Sequence, residues 1–237
     1  AAAATTATAP ASPSMQDKIQ LNLDKNNIPM WRNITDKISY ITPTMQPLSA
    51  NVCVIEGEDY LWVYDVGKNS FVSDMLSKIS QEKGKDIKIV LSHFHPDHIA
   101  NLQYIKWSKL YQGKNTYKYT HIGEVVEEEI RIDKSEANLS IFPMPSSHAK
   151  GSLALMADET YCLLGDALYP AHKGNKTVYN AGMVKQQIDL LNKIPASYIL
   201  LSHREPFVQK KQAVIAWLCE IYSKREKNQP WIDAGNV

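Results

Sequence analysis

The chain reads as a layered domain of the α+β class, and three observations carry that reading. Short, mostly apolar runs of strand length recur at Ile38–Ile41, Asn51–Ile55, Tyr60–Tyr64, Ile87–Leu91, Leu139–Met144, Tyr161–Gly165 and Tyr198–Ser202. Between them, Phe71–Lys83, Met183–Leu191 and Lys211–Tyr222 carry apolar residues at helical spacing. Four of the apolar runs lead into a residue that can bind a metal, so one edge of a sheet would collect all four.

Taken in order, the first fourteen residues, Ala1 to Ser14, are all Ala, Thr, Pro and Ser. They lack the basic start and apolar centre of a secretory leader, so a flexible extension or a cloning remnant is expected there. Residues 15–237 are expected to form a single domain. The strands at Asn51–Ile55 and Tyr60–Tyr64 are joined by a turn at Glu56-Gly57-Glu58-Asp59. Helix Phe71–Lys83 should stop at Gly84, a suitable C-cap. Ile99 to Tyr111 is expected to be helical, with Leu102, Ile105 and Leu110 on one side. Tyr117 to Ile132, with the acidic run Glu124–Glu129 and His121 before it, is expected to form strand pairs on a solvated rim. No internal repeat is visible.

The densest chemical signal is His93-Phe94-His95-Pro96-Asp97-His98, directly after the buried-strand pattern Ile87–Leu91. Of the seven histidines in the chain, three fall within these six positions, which argues against a loop that is histidine-rich by accident. In extended chain, residues two apart point the same way, so His93 and His95 can face one metal. Asp97 and His98 follow as the chain turns toward a helix and can face a second. Pro96 restricts the loop just before them. His148, Asp166 and His203 each follow an apolar run of their own. Taken singly, His148 and His203 read as capped or solvated histidines and Asp166, after a Gly, as a turn residue; recurring at successive strand ends, they read as a site.

These residues, in this order, resemble the metallo-β-lactamase superfamily, and Tyr64-Asp65-Val66-Gly67 is similar to its Asp-x-Gly turn, which supports the metal loop. The resemblance runs from about Asn51 to His203 and implies an αββα four-layer sandwich, two sheets inside and helices outside. It implies that His93, His95 and His148 hold one metal, that Asp97, His98 and His203 hold another, and that Asp166 bridges them. Zinc suits the nitrogen-rich set, and manganese or iron would accept the same donors.

Departures from the family's branches narrow the expectation. One β-lactamase subclass has Cys where Asp166 stands and lacks the last His of the first motif; another has that His but no bridging Asp. Flavodiiron oxidases place Glu at the position of His95 and carry a flavodoxin domain. Glyoxalase II enzymes add a C-terminal helical domain, whereas 34 residues follow His203 here. Only 17 residues separate His148 from Asp166, too few for the domain inserted in the nuclease branch. What remains is a small dinuclear hydrolase.

The expected chemistry is attack by a hydroxide bridging two metal ions, with Asp97 orienting it or moving its proton as well as ligating. The substrate expected is a small acyl compound: a lactone, thioester, ester or β-lactam. The alternatives are a phosphodiesterase, or a low-turnover metal-bound sensor or partner-binding protein. Lys150, Tyr169, His172 and Tyr179, near His148 or in the stretch after Asp166, are the candidate substrate contacts.

A formal net charge of +1 gives no electrostatic case for nucleic acid, and no apolar run is long enough to span a bilayer. With 237 residues and 44% hydrophobic content, one domain can bury a substantial core. Cys53, Cys162 and Cys219 cannot all pair and are expected to be buried free thiols, as in a cytoplasmic, reducing compartment. Secretion after removal of a leader is the alternative.

Overall fold

The computed structural model describes residues 27–132 and 134–235. The Ala1–Ser14 extension therefore lies outside the described residues. Two sheets face each other. The first has seven strands in the order Trp31–Asn33, Ile38–Ile41, Val52–Glu56, Tyr60–Tyr64, Asp86–Val90, Lys109–Gln112 and Glu124–Val125. Its first four strands are antiparallel neighbours and the remaining pairings are parallel. The second has six, in the order Ile130–Arg131, Leu139–Met144, Ser152–Ala157, Tyr161–Gly165, Tyr198–Leu201 and Val208–Lys210, parallel only between Tyr161–Gly165 and Tyr198–Leu201.

Strand alternation explains the layers. Cys53, Ile55, Trp62 and Tyr64 point inward and meet Leu153, Leu155, Leu163 and Leu200 of the opposite sheet. Their neighbours Val52, Val54, Leu61 and Val63 point outward onto Val72 and Leu76 of helix Ser70–Lys83. On the far side, Cys162, Leu164, Ile199 and Leu201 pack on Val184, Leu191, Val214 and Leu218 of helices Ala181–Lys193 and Lys211–Ser223. Sheets covered on both faces need apolar residues at every position, which is why the strands read as continuous runs. The four layers are helix, sheet, sheet and helix. Tyr64 stitches the two sheets together near one end, donating its hydroxyl to the Leu153 carbonyl at 2.7 Å.

Three expectations are corrected. Ile99–Tyr111 is not one helix: the short helix Pro96–Ile99 passes into a 3-10 turn at Ala100–Tyr104, and Lys109–Gln112 is a strand. Parallel pairing of Lys88, Ile89 and Val90 with Lys109, Leu110 and Tyr111 outweighs the local helical spacing. Within 117–132, Lys114–Thr120 is a helix, and Glu124–Val125 and Ile130–Arg131 join different sheets instead of pairing with each other. The acidic side chains of that run are exposed as expected, with Val126 buried among them. Ser152–Ala157, for which the sequence analysis sets no expectation, is a fully buried strand. Cys219 is exposed, while Cys53 and Cys162 are buried, so the expectation of three buried thiols fails at one.

Candidate metal centre

Loops at one end of the two sheets carry the cluster. The Asp86–Val90 strand delivers Ser92 to His98, Tyr161–Gly165 delivers Asp166, Tyr198–Leu201 delivers His203, and the turn between Leu139–Met144 and Ser152–Ala157 delivers His148. All seven residues expected from the sequence come together, in two groups. His93, His95 and His148 form one; Asp97, His98, Asp166 and His203 form the other. Within each group, one donor atom from every residue lies within 4.8 Å of the rest.

In the first group, Nε2 of His93 is 2.8 Å and Nε2 of His148 is 3.0 Å from Nδ1 of His95. The outer nitrogens fix the tautomers. His148 Nδ1 faces the Pro170 carbonyl at 3.2 Å and must carry the hydrogen, because a carbonyl only accepts. Ser92 donates its hydroxyl to Asp65 Oδ2 at 2.7 Å, so it can only accept from His93 Nδ1 at 2.9 Å. Both inward nitrogens therefore present lone pairs toward His95. Burial pushes the His93 pKa down to about 2, with the nearby His98 adding to the effect, and burial and His148 lower that of His95. Imidazole nitrogens from three residues gathered around one point are a cation's donor set.

In the second group, Asp97 Oδ2 lies 2.8 Å from His203 Nε2 and 3.3 Å from His98 Nε2, and Asp166 Oδ2 lies 3.2 Å from His98 Nε2. His98 Nδ1 donates to Asp65 Oδ2 at 2.7 Å. Burial would lower the His98 pKa, but Asp65 and Asp166 together hold it well above the usual histidine value. Burial would raise Asp97, yet hydrogen bonds from His203 and His98 hold it well below the ordinary carboxylate range. Asp166 is also held low, His98 outweighing burial.

Asp166 spans the two groups. Its Oδ2 is 3.6 Å from His148 Nε2 and 3.9 Å from His93 Nε2, beside the contact to His98. Its Oδ1 is buried without a hydrogen-bond partner. A buried carboxylate oxygen lacking any donor is costly unless a cation meets it. Together with the converging lone pairs, this makes the residues present a good fit to two divalent ions.

The backbone that holds these groups is itself fixed by polar side chains that sequence reasoning did not find. Asn51 Oδ1 accepts the His203 amide at 2.9 Å, holding His203 in a left-handed conformation at φ 62°. Gln187, buried on helix Ala181–Lys193, donates from Nε2 to the carbonyls of Pro145 (2.7 Å) and Ala167 (2.9 Å), tying the His148 loop to Asp166. A polar residue on the buried face of that helix was its only signal. Gly165, at φ 56°, is pressed against Ser92, where an added Cβ would come within 2.7 Å of the serine side chain. Of the candidate substrate contacts, Tyr169, His172 and Tyr179 line a cavity beside His148, while Lys150 is exposed and is not among its walls. The Tyr169 hydroxyl donates to the Ser202 carbonyl at 2.6 Å.

The family model described as the metallo-beta-lactamase superfamily matches residues 45–107, from the early strands through the His93–His98 motif. The fold is that of the metallo-β-lactamases. Among solved structures, the DIM-1 metallo-beta-lactamase is 13% identical, with 82% of this chain and 97% of that one aligned at a TM-score of 0.62. A metallo-beta-lactamase from Pontibacter korlensis is 12% identical, covering 84% of this chain and 100% of that one at 0.64. A variant flavo di-iron protein from Thermotoga maritima is 15% identical at a TM-score of 0.63; 85% of this chain aligns, spanning 64% of that protein's length. At such identities the likeness is one of fold. A search of curated proteins gave no match. No helix among the described residues is long and apolar enough to cross a membrane.

Proposed function

We propose that this metallo-β-lactamase-fold protein is a metal-dependent hydrolase of a small acyl substrate, a lactone, thioester, ester or β-lactam. Its metals would be held by His93, His95 and His148 on one side and Asp97, His98 and His203 on the other, with Asp166 between them. The observation that carries this reading is the position of Asp166: one oxygen reaches imidazoles of both groups, and the other is buried with no protein partner.

Two divalent ions there would polarise a substrate carbonyl and lower the pKa of a water toward neutrality. The protein's own part is orientation and proton handling. His93 and His148 keep their lone pairs inward through Ser92 and Pro170. Asp97, kept ionised by His203 and His98 and only partly buried, can orient a water by accepting its hydrogen bond. Tyr169 steadies the Ser202 carbonyl, and with it the backbone that presents His203.

Elemental analysis and a chromogenic panel test the reading together. Zinc is the expected metal, and lactone or thioester probes should turn over faster than cephalosporins and bis-nitrophenyl phosphate. Protein that neither retains nor takes up metal would overturn the reading. Preference for the phosphodiester would replace acyl by phosphoryl chemistry at the same residues.

A further inference from the structure

Beside His148 lies a cavity of about 550 Å³ that the seven-residue cluster does not use. That volume falls in the range of roughly 300–1,000 Å³ common for small-molecule sites. Much of its wall is apolar or aromatic: Trp217 and Ile221 from helix Lys211–Ser223, Ile232 from the strand Trp231–Asp233, and Tyr169 and Tyr179 from the chain after Asp166. The strands Ala171–Lys173, Lys176–Asn180 and Trp231–Asp233 form a separate small sheet that builds this side, with Tyr179 and Ile232 paired across it.

Arg204 enters this setting directly after His203. Its guanidinium carbon lies 4.5 Å from the centre of the Trp217 ring, and among the described residues no carboxylate pairs with it. The other formal charges on the wall are Lys224 and Asp233, both exposed, and Asp233 Oδ1 already accepts the Gly235 amide at 2.8 Å. Arg204, Lys224 and Asp233 together leave one positive charge in excess. A cation seated on an aromatic ring against apolar walls, with no carboxylate among the described residues paired to it, is suited to an anion brought by a ligand. A single excess charge matches a carboxylate, which a guanidinium also receives through two parallel hydrogen bonds.

Resting on the hydrolase reading above, we infer that this cavity holds the non-reacting part of the substrate, an apolar or aryl group ending in a carboxylate received by Arg204, with the scissile acyl group beside His148. Tyr179 lines the cavity as a neutral phenol, its pKa raised by burial to about 12, and adds apolar surface without competing charge.

Calorimetric titration of the protein as purified with 4-phenylbutanoate and with its neutral analogue 4-phenylbutanamide tests this. The acid should bind roughly tenfold tighter or more, as expected for one charge-assisted contact. Arg204→Met keeps apolar bulk over Trp217 and should remove the preference while leaving the amide's affinity nearly unchanged. Trp217→Ala should weaken both ligands. Equal affinities in the wild type, a preference that survives in Arg204→Met, or no binding of either compound would each overturn the inference. Surviving preference would assign the carboxylate to the metal centre instead. Metal content and ester turnover, read on the same preparations, separate the two readings. Acid-selective binding without metal or turnover would overturn the hydrolase and leave the Arg204 site standing. Turnover without acid selectivity would do the reverse.

Discussion

The carboxylate of Asp65 lies 2.7 Å from Nδ1 of His98, and neither side chain reaches solvent. The same carboxylate accepts the Ser92 amide at 2.7 Å and, through Oδ2, the Ser92 hydroxyl, which in turn receives His93 Nδ1. One buried anion therefore sets the tautomer of a histidine in each metal group, directly for His98 and through Ser92 for His93. Asp65 itself stands in a left-handed turn at φ 61°. That turn is gripped by the His98 carbonyl, which accepts the amides of Val66 and Gly67, and by Asn101, whose Nδ2 donates to Val66 and Asn69 carbonyls.

Asp65→Asn keeps the shape and removes the charge, so it tests this relationship. Partners of this kind typically change metal affinity by about 10–100-fold when lost. The expected result is a weaker site at His98, with the His93 group less affected because Ser92 intervenes. Competitive chelator titration reads both affinities. Two sites of wild-type strength would remove Asp65 from the metal chemistry.

Asp166→Ala should lower bound metal from about two ions per chain to one or fewer and reduce turnover by about two orders of magnitude or more, as expected where paired ions share the work. The metal-free variant should still fold, because Asp166 Oδ1 has no protein partner to lose, His98 keeps its 2.7 Å bond to Asp65 when Oδ2 is removed, and the flanking strand Tyr161–Gly165 is buried. Elemental analysis beside circular dichroism checks both halves. Full metal occupancy in Asp166→Ala would show that the carboxylate does not bridge.

Much of this was legible in the sequence, and the failures have physical causes. The six-residue histidine motif and the strand-end positions of His148, Asp166 and His203 are local patterns, and Asp65 was marked by its Asp-x-Gly turn. Ile105 and Leu110 sit at helical spacing yet belong to a turn and a strand, because parallel pairing with Ile89 decides the matter and pairing is not local. Ser152–Ala157 escaped notice because its Leu, Ala and Met are neither β-branched nor aromatic, so the run carries little local strand preference. Gln187 and Arg204 act through residues far away in sequence or across a cavity, and neither belongs to a motif.

Gln187 links the loop before His148 to the residue after Asp166. Gln187→Met retains length and apolar fit but strands the buried Ala167 carbonyl, at a cost of about 1–3 kcal/mol, and the partly buried Pro145 carbonyl at less. Because Gln187 Oε1 has no partner, its removal returns part of that cost. The midpoint of urea unfolding should fall, and metal should bind more weakly because His148 and Asp166 are no longer held in register. Unchanged metal affinity would limit Gln187 to a packing role.

Acid should destabilise the metal-free protein through the imidazoles of the first group. The folded pKa of His93 is about 2 and that of His95 is lowered, both chiefly through burial, whereas an unfolded imidazole titrates near 6.5. Below that value the unfolded chain binds protons that the folded chain refuses, so stability falls with pH, by up to about 1.4 kcal/mol per pH unit for each fully shifted group. His95 is half-buried and contributes less than that limit. His98 has the opposite sign: raised in the folded state, it is protonated in both states below 6.5, and its stabilisation is lost only as pH rises through its folded value. Asp97 and Asp166 are held low and stay ionised, so they do not enter until pH falls toward the unfolded carboxylate values near 4. Between pH 6.5 and 5 the slope therefore belongs to His93 and His95. Urea unfolding of chelator-treated protein at pH 7, 6 and 5 should show a steady loss, shallower in His93→Gln. A stability that is flat or rises toward pH 5, or an undiminished slope in His93→Gln, would show that the first group is not held as neutral lone-pair donors.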